Sequence, residues 1–95
     1  MEATKKVALV ITHEVKNFAD WKVEFDSGET MRTEMGVKIT GVYTALDNEN
    51  MVTVTSEVPS IEAAKGFMAD PNLKATMEKA GVISQPDIRI MMIQN

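Results

Sequence analysis

Met35-Gly36-Val37 and Ala80-Gly81-Val82 are one punctuation mark written twice, 45 residues apart. In each, an amphipathic, helix-like segment runs into a glycine and a β-branched residue follows at once. Glycine adopts the left-handed backbone that closes a helix at little cost, and valine after it favours extended chain. Before each helix-like segment lies a β-branched run. The order read outward from these two marks is βαβ followed by βαβ.

The elements can be placed from local chemistry. A first strand is expected over Lys6 to Val15, where Val7-Ala8-Leu9-Val10-Ile11 is apolar on both sides, as in a strand covered on each face. Asn17 is a helix cap, with Asp20 in the first turn where a carboxylate is favoured. Phe18, Trp21, Phe25, Gly28, Arg32 and Met35 then recur at helical spacing up to Gly36. A second strand is expected over Val37 to Leu46, a polar turn at Asp47-Asn48-Glu49-Asn50, and a third strand from Met51 to Val58. In that third strand Val52, Val54 and Val58 share one face, and Thr53, Thr55 and Glu57 the other. Pro59-Ser60 opens a second helix with Ile61, Ala64, Phe67 and Met68 inward. Asp70-Pro71 restarts it as cap and first residue, and Leu73, Met77 and Ala80 continue the inner side. A fourth strand is expected over Ile88 to Ile93.

Joined by short connections, this order predicts an α+β domain over residues 1–95 with a ferredoxin-like βαββαβ architecture. Its four-stranded antiparallel sheet carries both helical segments on one face. A 95-residue chain buries only about 60–65% of its unfolded surface and gains from association. The first strand shows no polar side, and the fourth offers Ile88, Ile90 and Met92 on one side and Met91 and Ile93 on the other. Two helices shield a single face, so a second copy of the chain is expected on the remaining one, giving a homodimer.

Composition removes several functions. No cysteine is present, which excludes disulfides and thiolate metal or redox sites and suits a reducing cytoplasm. No stretch approaches the length of a membrane span, so no membrane partner is expected. Net charge is −4, with six basic against eight acidic side chains up to Asn48 and four against six beyond it. No basic stripe exists to follow a phosphate backbone, and Met51–Val58 lacks the aromatics on which an RNA-binding sheet stacks bases, so nucleic acid is not an expected partner. The five glycines are scattered rather than gathered into a phosphate loop.

The candidate site residues are few. His13 is the lone histidine, and the only side chain that ordinarily titrates near neutrality. It sits near the end of the first strand, at the expected mouth of a cleft between sheet and helices, as a candidate catalytic base, with Asp20 or Asp26 available to orient it. Glu14 points to the opposite side of the strand. Trp21 and Phe25 are candidate walls of a pocket for a flat ligand, and Tyr43 a candidate hydroxyl for it. Arg32 continues the aromatic face as a snorkelling side chain or as a holder of a developing enolate or phenolate. One histidine without cysteine makes a poor metal site, so neither metal nor cofactor is expected.

The stretch His13-Glu14-Val15-Lys16-Asn17-Phe18-Ala19-Asp20-Trp21-Lys22, with Phe25-Asp26 beyond it, resembles small bacterial proteins of the dimeric α/β-barrel superfamily. Ala63-Ala64-Lys65-Gly66-Phe67 and Leu73–Val82 extend the likeness over nearly the whole chain. That superfamily holds antibiotic-biosynthesis monooxygenases, haem-degrading enzymes, polyketide cyclases, muconolactone isomerase and stress-responsive barrel proteins, besides members without an assigned role, which this chain resembles most. The resemblance implies a homodimer whose sheets pack into a barrel, each subunit with a ligand cleft. The Asn, Trp and His of the haem-degrading members do not map onto Trp21 and His13. Three readings follow: a protein binding a small apolar or aromatic ligand; a cofactor-independent monooxygenase, isomerase or cyclase acting on an aromatic or polyketide-like substrate; and a non-catalytic assembly or docking module.

Overall fold

The computed structural model describes residues 6–94. The elements run β1 (Val7–Glu14), α1 (Phe18–Ser27), α2 (Glu29–Glu34), β2 (Lys38–Ala45), β3 (Asn48–Val58), α3 (Ile61–Ala69), α4 (Pro71–Lys79) and β4 (Asp87–Met92). The sheet is antiparallel in the order β2-β3-β1-β4, with β1 and β3 in the middle. This is the ferredoxin-like α+β fold expected from the element order.

Both glycine marks are helix stops of the six-to-one type. Gly36 and Gly81 take positive φ, 81° and 87°. Val37 N–H donates to Arg32 O at 2.8 Å and Gly36 N–H to Thr33 O at 3.1 Å. Val82 N–H donates to Met77 O and Gly81 N–H to Glu78 O, each at 3.1 Å. The starts are capped as the side chains dictate. Asn17 accepts from Asp20 N–H, Ser60 from Ala63 N–H, and Asp70 from Asn72 N–H with Pro71 at the first helical position.

Three local expectations are corrected. The first helix is two, because Gly28 interrupts the run from Phe18 to Glu34. The β2–β3 connection is a two-residue hairpin at Leu46-Asp47, with Ala45 paired to Asn48, so Asn48, Glu49 and Asn50 belong to β3. Asn50 is held there because its carbonyl receives Val15 N–H and its side chain receives Phe18 N–H at the start of α1. Ile61, expected on the buried stripe, is 41% exposed, since it is the first helical residue and α3 packs against the core from Ala63 onward.

The helices cover one face of the sheet. Val7, Leu9, Ile11 and His13 on β1, with Val52, Val54, Ser56 and Val58 on β3, alternate into that face and are buried. Two clusters form there. One joins Val7, Leu9, Ile11, Val37 and Val58 to Ala64 and Phe67 of α3; the other joins Val15, Val52, Val54 and Ala80 to Trp21 of α1. The opposite face is less oily than the sequence pattern suggests. The Thr12 and Thr53 hydroxyls meet across β1 and β3 at 2.9 Å, and those of Thr40 and Thr55 at 2.8 Å. Four of the exposed hydrophobics, Ile88, Ile90, Met91 and Met92, lie on the edge strand β4 and are each 39–45% exposed; by register the first, second and fourth share the helix side with Ile11, Leu9 and Val7, and Met91 the open side with Ala8.

Candidate functional site

The two clusters leave a gap between them. That gap is a cavity of about 70 Å³, bordered by Ile11 and Phe67 from one cluster and by Trp21 and Val54 from the other. Its walls also include Phe25, Val37, Ile39, Leu73, Met77 and Ala80. Its polar side chains are His13, Arg32, Ser56 and Thr76, besides the indole N–H of Trp21.

His13 reaches the cavity because its β1 position has the parity of Leu9 and Ile11, opposite Val52 in the β1–β3 register. The side chain is 3% exposed, and neither ring nitrogen has a hydrogen-bond partner among the described residues. Burial pushes its pKa down, so the imidazole is held neutral. Neither Asp20 nor Asp26 orients it: Asp26 is bonded through both oxygens to Lys22, at 2.9 Å each. The site therefore holds a lone base, not an acid–base dyad.

A column of rings leads outward from His13. The imidazole stands edge-on to Trp21, centroids 5.9 Å apart and planes at 71°. Trp21 stacks on Phe25 one turn later, at 4.8 Å and 22°. The Arg32 guanidinium lies 4.0 Å from the Phe25 ring centre, and its Nη2 donates to Phe25 O at 2.7 Å. Gly28 leaves room for this arm, because a Cβ there would sit 3.0 Å from Arg32 Nη1. Arg32 Nε is buried without a partner among the described residues. Burial lowers the guanidinium's hold on its proton, against an opposing pull from Glu29 and Asp26.

These orphaned atoms share one location. Among the described residues, the buried side-chain nitrogens and oxygens without a partner are His13 Nδ1, His13 Nε2 and Arg32 Nε. Both residues border the cavity. Burying such a group unsatisfied costs about 1–3 kcal/mol, and folded proteins keep few of them. Outside the cavity lies an open groove of about 610 Å³, which shares Phe25, Arg32, Val37 and Ile39 with it. Cavity and groove thus share a wall that includes Arg32. No cluster of three or more metal-ligating side chains occurs among the described residues, and no described helix is long and apolar enough to cross a membrane.

Of the five candidate residues, His13, Trp21, Phe25 and Arg32 converge and Tyr43 does not. Tyr43 is 57% exposed, pairs with Thr53 on the hydroxyl-bearing face, and lays its ring over Gly41. A bulge between Ile39 and Gly41 is the cause. It shifts the alternation of β2 by one residue, so that Val42 follows Ile39 to the helix side and Tyr43 turns away. Two polar cavity residues escaped the sequence reading, Ser56 and Thr76. Ser56 had left a trace: it is the one hydroxyl in the series Val52, Val54, Ser56, Val58, and in the fold it is 4% exposed and donates to Leu9 O at 3.4 Å.

No family model matches the sequence, and neither does any curated protein. Solved structures do resemble the fold. A protein from Caulobacter crescentus CB15, provisionally named an antibiotic biosynthesis monooxygenase, matches with a TM-score of 0.76 over 97% of this chain and 92% of its own, at 16% identity. A variant of SnoaB, a cofactor-independent oxygenase from Streptomyces nogalater, matches with a TM-score of 0.76 over 96% of this chain and 95% of its own, at 14% identity. A protein of unknown function from Nitrosomonas europaea matches at 0.72 over 99% and 94%, with 15% identity. Identities this low establish a shared fold, and the chemistry of this chain must be argued from its own cavity.

Proposed function

We propose that this chain binds a compact, mostly apolar small molecule between its sheet and its helices, and does so as a homodimer. One observation carries the ligand reading: the described residues leave three buried side-chain polar atoms unpartnered, and all belong to residues bordering one otherwise apolar cavity. Small-molecule sites have this composition, an apolar wall with a few polar groups that fix orientation. The volume sets the size of what enters. About 70 Å³ is half of the ~150 Å³ at which a dry engineered cavity admits benzene, so the inner chamber takes a short chain or the edge of one ring. The remainder of the ligand lies in the outer groove.

The chain provides its own probe. Trp21 is the lone tryptophan and lines the cavity. Titration with p-cresol, followed by Trp21 fluorescence, is expected to saturate, and His13→Leu is expected to weaken binding by about tenfold through loss of a hydrogen bond. A response that stays linear to the solubility limit would sink the ligand reading. The homodimer reading is supported by the exposed apolar row on β4 and by the small size of the chain. Sedimentation of a monomer at micromolar concentration would overturn it.

Catalysis is the second reading, favoured by the state of His13: a neutral imidazole, buried and without a partner at either nitrogen among the described residues, is a competent proton acceptor. The fold likeness to a cofactor-independent oxygenase keeps small, flat, oxidisable substrates in view. In this reading His13 abstracts a proton, and Arg32 stabilises the resulting oxyanion. His13→Ala is then expected to abolish turnover while weakening ligand binding by no more than the roughly tenfold of its lost hydrogen bond; loss of all binding along with turnover would count against it.

A further inference from the structure

We infer that the ligand is a carboxylate, its apolar end in the inner chamber and its charged group at Arg32; this inference rests on the small-molecule reading above. The observation behind it is a charge without a counter-ion. The ion pairs among the described residues are Lys6–Glu57, Lys22–Asp26, Lys79–Glu24 and Arg89–Asp87, and Arg32 is in none of them. The two carboxylates that pull on it do not neutralise it by contact: Asp26 is committed to Lys22, and Glu29 lies beyond ion-pair distance. What holds the guanidinium is a single backbone carbonyl and the face of Phe25.

Such an arrangement fixes the position of the charge and leaves it without an anion in contact. Taking a cation partly out of water is costly unless an anion and hydrogen bonds replace the hydration. Arg32 still has Nε–H to give, at the border between the cavity and the groove. A guanidinium with free donors matches an anionic oxygen such as that of a carboxylate. A phenol fits less well, since an ordinary phenol with a pKa near 10 is neutral at pH 7, whereas a carboxylate arrives charged. Neutral His13, further in, then meets the apolar part of the ligand or a hydroxyl on it, with no second charge to bury. Gly28 belongs to this device: the helix break between α1 and α2 puts a residue without Cβ where the guanidinium passes.

The test compares one ring with and without charge. Benzoate, benzamide and p-cresol are titrated into the full chain at low salt, and the single Trp21 indole N–H cross-peak is followed by NMR. Benzoate is expected to bind about tenfold more tightly than benzamide, the gain from one charge-assisted hydrogen bond in a shielded site. Arg32→Gln is expected to erase that preference by weakening benzoate far more than benzamide, and Arg32→Lys to retain part of it. Gly28→Ala, which crowds the guanidinium without removing it, is expected to weaken benzoate selectively. Equal affinities in the unmodified protein, or a benzoate preference that survives Arg32→Gln, would overturn the carboxylate assignment while p-cresol binding left the ligand reading standing. Failure of all three probes to bind would remove both.

Discussion

The two faces of β1 alternate along one strand and treat polar groups in opposite ways. On the helix side, Val7, Leu9, Ile11 and His13 are 1%, 0%, 8% and 3% exposed, and the imidazole has no partner among the described residues. On the other side, water still reaches Ala8, Val10, Thr12 and Glu14, yet Thr12 is hydrogen-bonded to Thr53. Ordinary folding physics would have it the other way, with buried polar groups paired and the half-exposed ones left to water. The inversion marks the covered face, which carries the core, as the one that also keeps unfilled hydrogen-bonding capacity. The covered face gives up stability at His13 and Arg32, and functional sites are where such costs persist.

The sharpest way to break this comparison is to truncate neighbouring residues on opposite faces. Leu9→Ala removes a fully buried side chain and is expected to cost about 2–5 kcal/mol in urea unfolding. Val10→Ala, one residue on and half-buried, is expected to cost less than about 1.5 kcal/mol. Equal losses would mean that the open face is covered in solution. In that case the Val10 effect would also depend on protein concentration, as it must when stability is linked to assembly.

Next in size is the pH dependence carried by His13. Its folded-state pKa is lowered by burial, while the unfolded side chain titrates near 6.5. Below about pH 6.5 the unfolded chain takes a proton that the folded chain refuses, so stability falls as pH falls towards the folded pKa. The slope is bounded at about 1.4 kcal/mol per pH unit for one proton. In His13→Leu this component is expected to vanish, and the variant should gain about 1 kcal/mol at pH 7.5 by removing an unsatisfied buried group. Urea midpoints at pH 7.5 and 5.5, with both proteins side by side, check it. A parallel pH response in the two would mean that His13 is hydrated or bonded in solution and that the faces do not differ in this respect.

The comparison also explains what could be read from the chain beforehand. Caps and stops are local, written in one or two residues, so Asn17, Ser60, Asp70, Gly36 and Gly81 placed the helices before any tertiary contact was known. Trp21, Phe25 and Arg32 were legible for the same reason, because helical spacing carried them on one side and the break at Gly28 left that side intact. Tyr43 was not, because a bulge is set by the pairing of two strands and leaves no mark on either alone. A cleft between sheet and helices was legible too, with Trp21 and Phe25 on its wall; its far side was not, because it depends on how Phe67, Leu73 and Met77 from the second half approach Trp21 and Phe25 from the first.

The smallest effect belongs to the threonine pairs of the open face. Thr53→Val keeps the shape and β-branching of the residue but removes the hydroxyl that meets Thr12 at 2.9 Å. On a half-exposed face the remaining hydroxyl turns to water, and the cost is expected to stay within about 0.5 kcal/mol. The same change has a different meaning if a second copy packs on this face. A hydroxyl already paired within its own sheet can be buried against a partner without an unsatisfied donor, whereas a Thr12 hydroxyl that has lost its cross-strand partner cannot. Thr53→Val would then cost about 1–3 kcal/mol of dimer stability while leaving the monomer fold untouched. Dilution series of the unmodified protein and the variant, read by sedimentation, separate the two cases, since only an interface on the threonine face makes the dissociation constant move while the urea midpoint of the monomer stays fixed.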